Sequence, residues 1–544
     1  MCAASASAAT PEPCHPAPKL PPPSGRIVSV ADVEQFRKAV AGAKDGDTIA
    51  LADGDYNCVP YVWMKDKHHV TIRGASGDPT KVKLTGKGFD KGGDHDNEDI
   101  FWLDSSENIT FADLTFAETH AYGLKINSET GPKNIKVYNC HFRDIGIRGI
   151  KGTANTSTNN YAKGGEVRYC WFENTKIPPS NWQFDGDYIT SIDMMRLDEW
   201  VFADNVFKNI KGRNGQARGA IFVWVGSKHV TVERNVFIDC DRGVCFGNAA
   251  NGDKSTHIKD SVCRNNFFVT SSSDAPIEIS WAEDIKVFHN SILKTCANGH
   301  NDRGIRVISN TNCKNIEIDN NIFSGSFDGA EAKERGNYSG PLDGYFVDPA
   351  HGNLRLTAAA VNAIGKGVEL RDVRDDYDGH ARSKQPDIGA SQFAVREPEK
   401  SPEKVADIKS ERQPSAATPI VAVASGPHRD ALVTALQNPG AAKDVKVFVT
   451  VFGSAREARF KGADATGPSV ELDGNIFPMR WKEISDAELA AIAFTVFHDS
   501  AEPLFHAGAL AHCVKASKML EKISTRLHDL DAARARELDG LAVP

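Results

Sequence analysis

Val230-Thr231-Val232-Glu233-Arg234-Asn235-Val236-Phe237 is one copy of a phrase, apolar-x-apolar-x-x-Asn-x-Phe, that returns along the first two-thirds of the chain. Other copies are Ile109 to Phe116, Ile135 to Phe142, Val167 to Phe172, Val201 to Phe207, Val262 to Phe267, Ile285 to Ile292 and Ile316 to Phe323. The closing residues Phe116, Phe142, Phe172, Phe207, Phe237, Phe267, Ile292 and Phe323 stand 26, 30, 35, 30, 30, 25 and 31 residues apart. Self-similarity at such a period marks stacked supersecondary units rather than one globular core.

Each copy alternates apolar and polar residues and then turns at Asn. Alternation with period two is a strand pattern, and Asn accepts unusual turn backbones. No long amphipathic helix separates the copies, which argues against a doubly wound sheet. One coil per roughly 25–30 residues predicts a right-handed parallel β-helix, with Phe stacked inside and Asn lining a turn. A β-propeller is the rival, but the sequence carries no blade signature.

At 544 residues the chain is too long for one core. The reading divides it into a Pro-rich flexible segment (1–26), the β-helix (27–393), a linker rich in Pro, Glu, Lys and Ser (394–419) and a small α+β accessory domain (420–544). In the last, 445–449 and 469–472 read as strands. Ser485-Asp486-Ala487-Glu488 reads as a capping box opening a helix through Phe497, and a second helix is expected over about 508–538. The net charge of −8, from 64 basic and 72 acidic residues, gives no support for nucleic-acid binding. No apolar run approaches a membrane span. Eleven cysteines contain no CxxC pair, so buried thiols are expected rather than structural zinc. Cys14 and Cys58 are the candidate disulfide.

A second phrase, Arg-Gly-apolar, follows several repeat ends: Arg148-Gly149, Arg218-Gly219, Arg242-Gly243 and Arg303-Gly304, with Tyr122-Gly123 one coil earlier. Asp241 and Asp302 precede two of these arginines. Two residues past the glycines lies a second column, Lys125, Lys151, Cys245 and Arg306, joined by Glu278. Alternation turns it outward when the neighbouring Ile and Val point in. An outward groove of Lys, Arg and Glu suits an anionic polymer, because Arg grips carboxylate or sulfate with two donors. Stacked like charges need interleaved carboxylates, and Asp185, Asp187 and Asp193 supply them in the intervening coil. Trp182, Trp224 and Trp281 offer flat surfaces for sugar rings, with His120 and His141 as secondary groove candidates. The acidic run Asp94 to Asp99 reads as a solvated loop or a cation site at the groove's edge.

The entry segment, a helix around Val30 to Val40 followed by Lys44-Asp45-Gly46-Asp47-Thr48-Ile49, resembles the amino-terminal cap of pectin-lyase-like β-helix proteins. It is most similar to the alginate lyase and chondroitinase B branch of polysaccharide lyases. Asn353-Leu354-Arg355-Leu356, Asp375 to Gly379 and Asp387-Ile388-Gly389-Ala390 resemble the closing segment of such proteins. The resemblance implies β-elimination on an acidic, uronate-containing polysaccharide, with a Lys and an Arg as base and acid and Ca²⁺ as a frequent neutraliser. It points to Lys151 as base and Arg242 as acid or carboxylate clamp, with Lys125 and Arg218 in reserve. Arg148, Arg303, Arg306, Trp224, Tyr122 and His141 would bind substrate, and Asp187, Asp193 and Glu278 would hold Ca²⁺. The branch's usual Asn-Gly and Lys-containing motifs have no clear copy here. The alternatives are an inverting glycoside hydrolase, using a carboxyl pair drawn from Asp185, Asp187, Asp193 and Asp241, and a non-catalytic carbohydrate-binding surface protein. A lyase of this kind implies export, secreted or periplasmic. Cys2 ahead of small residues and a Pro-rich tether suit a lipid-anchored bacterial surface protein.

Overall fold

The computed structural model describes residues 14–393 except 24, 92–97, 297–302 and 330, and parts of 425–538. Cys2, the 394–419 segment, Asp94 to Asn97, Asp302, Ser485 and His498 therefore lie outside the described residues. The chain divides into two units, 1–400 and 401–544.

Three parallel sheets of twelve, ten and eleven strands build the first unit. Within each, a strand pairs with the strands three places earlier and later in the chain, so every coil contributes one strand to each sheet. This is the right-handed parallel β-helix that the repeat predicts. The alternation of the phrase produces it directly. Val230 and Val232 are buried while Thr231 between them is partly exposed.

Inside the coils the Phe series is a stack of rings. Phe116–Phe142, Phe142–Phe172, Phe172–Phe207 and Phe207–Phe237 lie 4.9, 4.6, 4.8 and 4.9 Å apart with interplanar angles of 4–11°. The next ring is Phe268, at 4.5 Å and 3°, not Phe267, which instead stacks on Tyr377 at 4.1 Å. The strand pairing agrees, matching Phe237 with Phe268.

Two residues before each of these rings runs a ladder of amides. The backbone N–H of Asn205 donates to Asn235 Oδ1 (3.0 Å), Asn235 to Asn266 (2.9 Å), Asn266 to Asn290 (3.1 Å), Asn290 to Asn321 (2.9 Å) and Asn321 to Asn337 (2.8 Å). Cys170 takes the same place and donates to Asn205 Oδ1 at 2.9 Å; Cys140 donates to Cys170 Sγ at 3.4 Å. Cys140 and Cys170 are thus members of the ladder. The preceding residue of each turn holds a left-handed backbone, from Asn139 (φ 49°) to Asn320 (φ 56°). Asn is suited to that conformation, but Tyr169 and Arg234 adopt it too (φ 56° and 51°) because the coil on either side fixes it.

The entry cap is a helix over Val33–Ala41, opened by Asp32, whose carboxylate accepts Gln35 N–H at 2.8 Å. Phe36 and Val40 bury its inner face. Within the segment expected to be flexible, His15 and Pro18 touch the coils of the β-helix. His15 bonds Asp204 (3.0 Å) and lies 3.5 Å from Asp378, and Tyr138 Oη donates to the Pro18 carbonyl at 2.6 Å. Cys14 and Cys58 are free thiols.

The second unit holds an antiparallel four-stranded sheet, Lys446–Val451, Ser454–Ala463, Pro468–Leu472 and Asn475–Pro478. Its helices are Ser425–Leu436, Asp486–Val496, Ala501–Cys513 and Ser517–Leu530. The expected helix over 508–538 is two helices in fact. Among the described residues no helix is long and apolar enough to cross a membrane.

Candidate active site

The outward face of the ten-stranded sheet carries the site. Strand pairing aligns Trp63, Trp102, Lys125, Lys151, Asp193, Phe222, Cys245, Glu278, Arg306 and Asp328 in one column. Lys125, Lys151, Cys245, Glu278 and Arg306 are therefore in mutual register, and carboxylates interleave with the cations. Tyr122 pairs with Arg148 in the column three residues earlier. There Arg242 pairs with Gly219, so Arg218 is one residue out of step.

The glycines of the Arg-Gly phrase have a packing reason. A Cβ on Gly149 would come 3.2 Å from the Phe172 ring and 2.7 Å from the Ser191 carbonyl; one on Gly243 would come 2.4 Å from Phe268. The Phe stack of one sheet presses against the backbone of another, and only Gly leaves room. Gly219, in the slipped strand, faces Cys245 instead.

Asp193 centres the chemistry. Its Oδ2 accepts Arg148 Nε at 2.7 Å and Lys151 Nζ at 2.8 Å, and its Oδ1 accepts Trp224 Nε1 at 3.0 Å. Arg148 is 1% exposed and Lys151 5%. Arg148 also donates to the carbonyls of Ile147 and Tyr188, and its guanidinium lies 4.0 Å over the Tyr188 ring. Burial alone would raise Asp193, but the two cations outweigh it and hold the carboxyl down at about 2. Two cations share that one carboxylate, and the deficit falls on Lys151. Burial pulls its ammonium below the ordinary lysine value more strongly than Asp193 lifts it. Beside Trp224 and Met195 opens a cleft of about 570 Å³, lined also by Glu129, Asn155, Asn251 and Asp253.

Other candidates have different neighbours. Arg242 is buried, 2.7 Å from Asp274 and 3.6 Å from Glu278, and donates to the Ala217 carbonyl at 2.7 Å. Burial works against its charge, but Cys245, Glu278 and Asp274 raise its pKa, and its bonds brace it between Asp274 and the Ala217 carbonyl. Arg218 lies 3.8 Å from Glu278. Arg303 and Arg306 meet Asp328 at 3.1 and 3.5 Å, further along the column. Lys125 sets its ammonium 3.8 Å over the Trp102 ring. His141 belongs to the eleven-stranded sheet, paired with Trp171, and is removed from the groove face. His120 and Trp182 pack edge-on at 4.3 Å, with Phe89 5.1 Å from Trp182.

The three expected Ca²⁺ ligands do not converge. Asp187 accepts the N–H of Asn214 (2.9 Å) and its amide (3.0 Å), Asp193 is held by two cations, and Glu278 faces Arg218 and Arg242. Among the described residues the acidic and histidine side chains that group tightly enough for a metal are Asp376, Asp378 and His380, at the closing segment. Among the described residues, Asp187, Asp193 and Glu278 do not form a donor set that fits Ca²⁺.

Two of the four carboxylates that inverting hydrolysis could draw on, Asp187 and Asp241, take part in local structure. Asp241 Oδ2 accepts the N–H groups of Gly212 (2.8 Å) and Ala217 (3.0 Å), while Asp187 grips Asn214 in the same loop. Both carboxylates shape residues 212–217.

No protein-family model and no curated protein matches the chain. Solved structures similar to it include pectate lyase Pel9A, at 12% identity over 68% of this chain and 96% of that one, TM-score 0.45. An alginate lyase from Paenibacillus sp. str. FPU-7 is 14% identical over 58% and 98%, TM-score 0.33. A PL6 alginate lyase in complex with a trisaccharide is 14% identical over 59% and 80%, TM-score 0.36. The parallel β-helix of this chain rests on its own strand pairing, and one fold hosts many activities.

Proposed function

We propose that the chain is an exported polysaccharide lyase that cleaves an acidic, uronate-containing polymer laid along the outward column of the ten-stranded sheet. The observation that carries this is Lys151: a buried lysine with a lowered pKa, fixed by Asp193 on a face that otherwise presents Lys125, Tyr122 and Trp224. Lys151 Nζ, in the deprotonated form that its burial favours, takes the C5 proton of the uronate. The electron pair left behind becomes the C4–C5 double bond as the C4–O bond breaks. Lys125, half-buried and without an ion pair among the described residues, meets the substrate carboxylate and steadies the charge that develops on it. Tyr122 stays protonated through the neutral range, its phenol pushed up to about 12 by burial, and supplies the proton to the departing oxygen. Asp193 and Arg148 position Lys151 and do not touch substrate.

The test is product chemistry. Polygalacturonate, alginate and sulfated glycosaminoglycans are incubated with the intact chain and followed for the ultraviolet absorbance of an unsaturated sugar. Its appearance with one polymer, and its loss in Lys151→Met, supports the reading. Its absence from all of them rejects it.

A further inference from the structure

The groove continues past Lys151 to the edge of the ten-stranded sheet, where Trp63 ends the column. Trp63 is 50% exposed, although its strand neighbours Val62 and Met64 are buried. The ring is held firmly all the same. Its Nε1 donates to Asp104 Oδ2 at 2.7 Å, and Asn127 Nδ2 bonds the other oxygen of that buried carboxylate. With its N–H satisfied inward, the indole presents ring surface outward. On the next strand Trp102 is already covered. Tyr61 stacks on it at 4.0 Å and 13°, and the Lys125 ammonium sits 3.8 Å from its centroid. Lys65 places its ammonium 5.7 Å from the Trp63 centroid. A fixed, exposed aromatic ring with an ammonium group beside it matches a pyranose bearing a carboxylate: the ring stacks on the apolar face of the sugar and the ammonium meets the anion.

We propose that Trp63, with Lys65, forms a distal subsite that holds one uronate ring of the polymer. The inference rests on the reading above for the path of the chain, and it adds a length requirement. Three strand spacings, roughly 14 Å, separate Trp63 from Lys151. Only oligomers several units long reach both, so the subsite favours long chains over short ones.

Binding of galacturonate and alginate dimers and octamers to the intact chain is measured by calorimetry, for wild type, Trp63→Ala and Trp63→Phe. Trp63→Ala is expected to weaken octamer binding about tenfold and to leave dimer binding unchanged. Trp63→Phe, which keeps a stacking ring, recovers most of the affinity. Unchanged octamer affinity in Trp63→Ala overturns the subsite, as does an equal loss for dimers and octamers, or failure of every anionic octamer to bind. Unsaturated product with a Trp63-independent octamer affinity removes the subsite alone. A Trp63-dependent affinity without unsaturated product removes the lyase alone.

Discussion

Lys151 Nζ lies 2.8 Å from Asp193 Oδ2, the same oxygen that accepts Arg148 Nε at 2.7 Å. Removing the anion and removing one cation should therefore have different effects. Asp193→Asn leaves two buried cations without a counter-charge and is expected to cost about 3–5 kcal/mol, read as a lower urea midpoint. Lys151→Met leaves Asp193 paired with Arg148 and Trp224, so its midpoint moves much less. Its turnover should fall by about 10²–10⁴-fold, the usual contribution of a general base. Normal turnover in Lys151→Met would show that the base lies elsewhere.

Asp241 should respond to pH in the opposite sense to most carboxylates. Burial raises it from 3.8 to about 6, against the backbone N–H groups of Gly212 and Ala217 that lower it. Between those values the folded chain holds a proton that the unfolded chain has lost, so stability declines as pH rises through the window. Both N–H groups meet the single oxygen Oδ2, and an amide oxygen can accept both. Asp241→Asn should thus melt higher than wild type at pH 7 and match it below pH 4. A variant that melts lower throughout would contradict the account.

His15 provides a second pH-dependent contact, on the strap formed by residues 14–23. Burial works against its charge, but Asp204 and Asp378 prevail and lift it to about 9. Its stabilisation is complete below the ordinary value of 6.5 and fades as pH climbs through about 9. Hydrogen exchange of residues 14–23 should accelerate over that range in wild type. In His15→Gln it should be fast and pH-insensitive, apart from the intrinsic rate; slow exchange there would show that the strap is held by other contacts.

Asn235 is fully buried in the amide ladder, accepting from Asn205 and donating to the Phe202 and Glu233 carbonyls. Asn235→Ala leaves buried polar groups without partners, at about 1–3 kcal/mol each. Urea unfolding should show a loss at the upper end of that range or above it. A loss under 1 kcal/mol would mean that neighbouring coils close the gap.

The fold was readable because alternation and the Phe spacing express it locally in every coil. The site was partly readable for the same reason: once the register is set, Lys125, Lys151, Glu278 and Arg306 must share a face. Asp193 lines up with them too, but its part as counter-ion rather than metal ligand depends on Arg148 and Lys151 converging across two coils, and no local pattern encodes that. The slip at Arg218 was hidden because Arg-Gly looks the same whether or not Gly meets a Phe ring. Trp63 and Trp102 carry no repeat signature, and Tyr188 lies in a connecting loop, so their stacking with cations emerges only in space. Phe267 was chosen over Phe268 because the sequence offers two adjacent rings and one stack.

The direction of the amide ladder bears on how the chain is made. Each ladder N–H reaches forward, from Asn205 to Asn235 and onward to Asn337. A coil newly released from the ribosome therefore has a donor whose acceptor has not yet been synthesised. During synthesis the leading coil is thus the one whose ladder donors are unmet. It remains sticky until translation supplies the closing segment around Tyr377, which makes synthesis stalled within the repeats the moment of greatest exposure to misassembly.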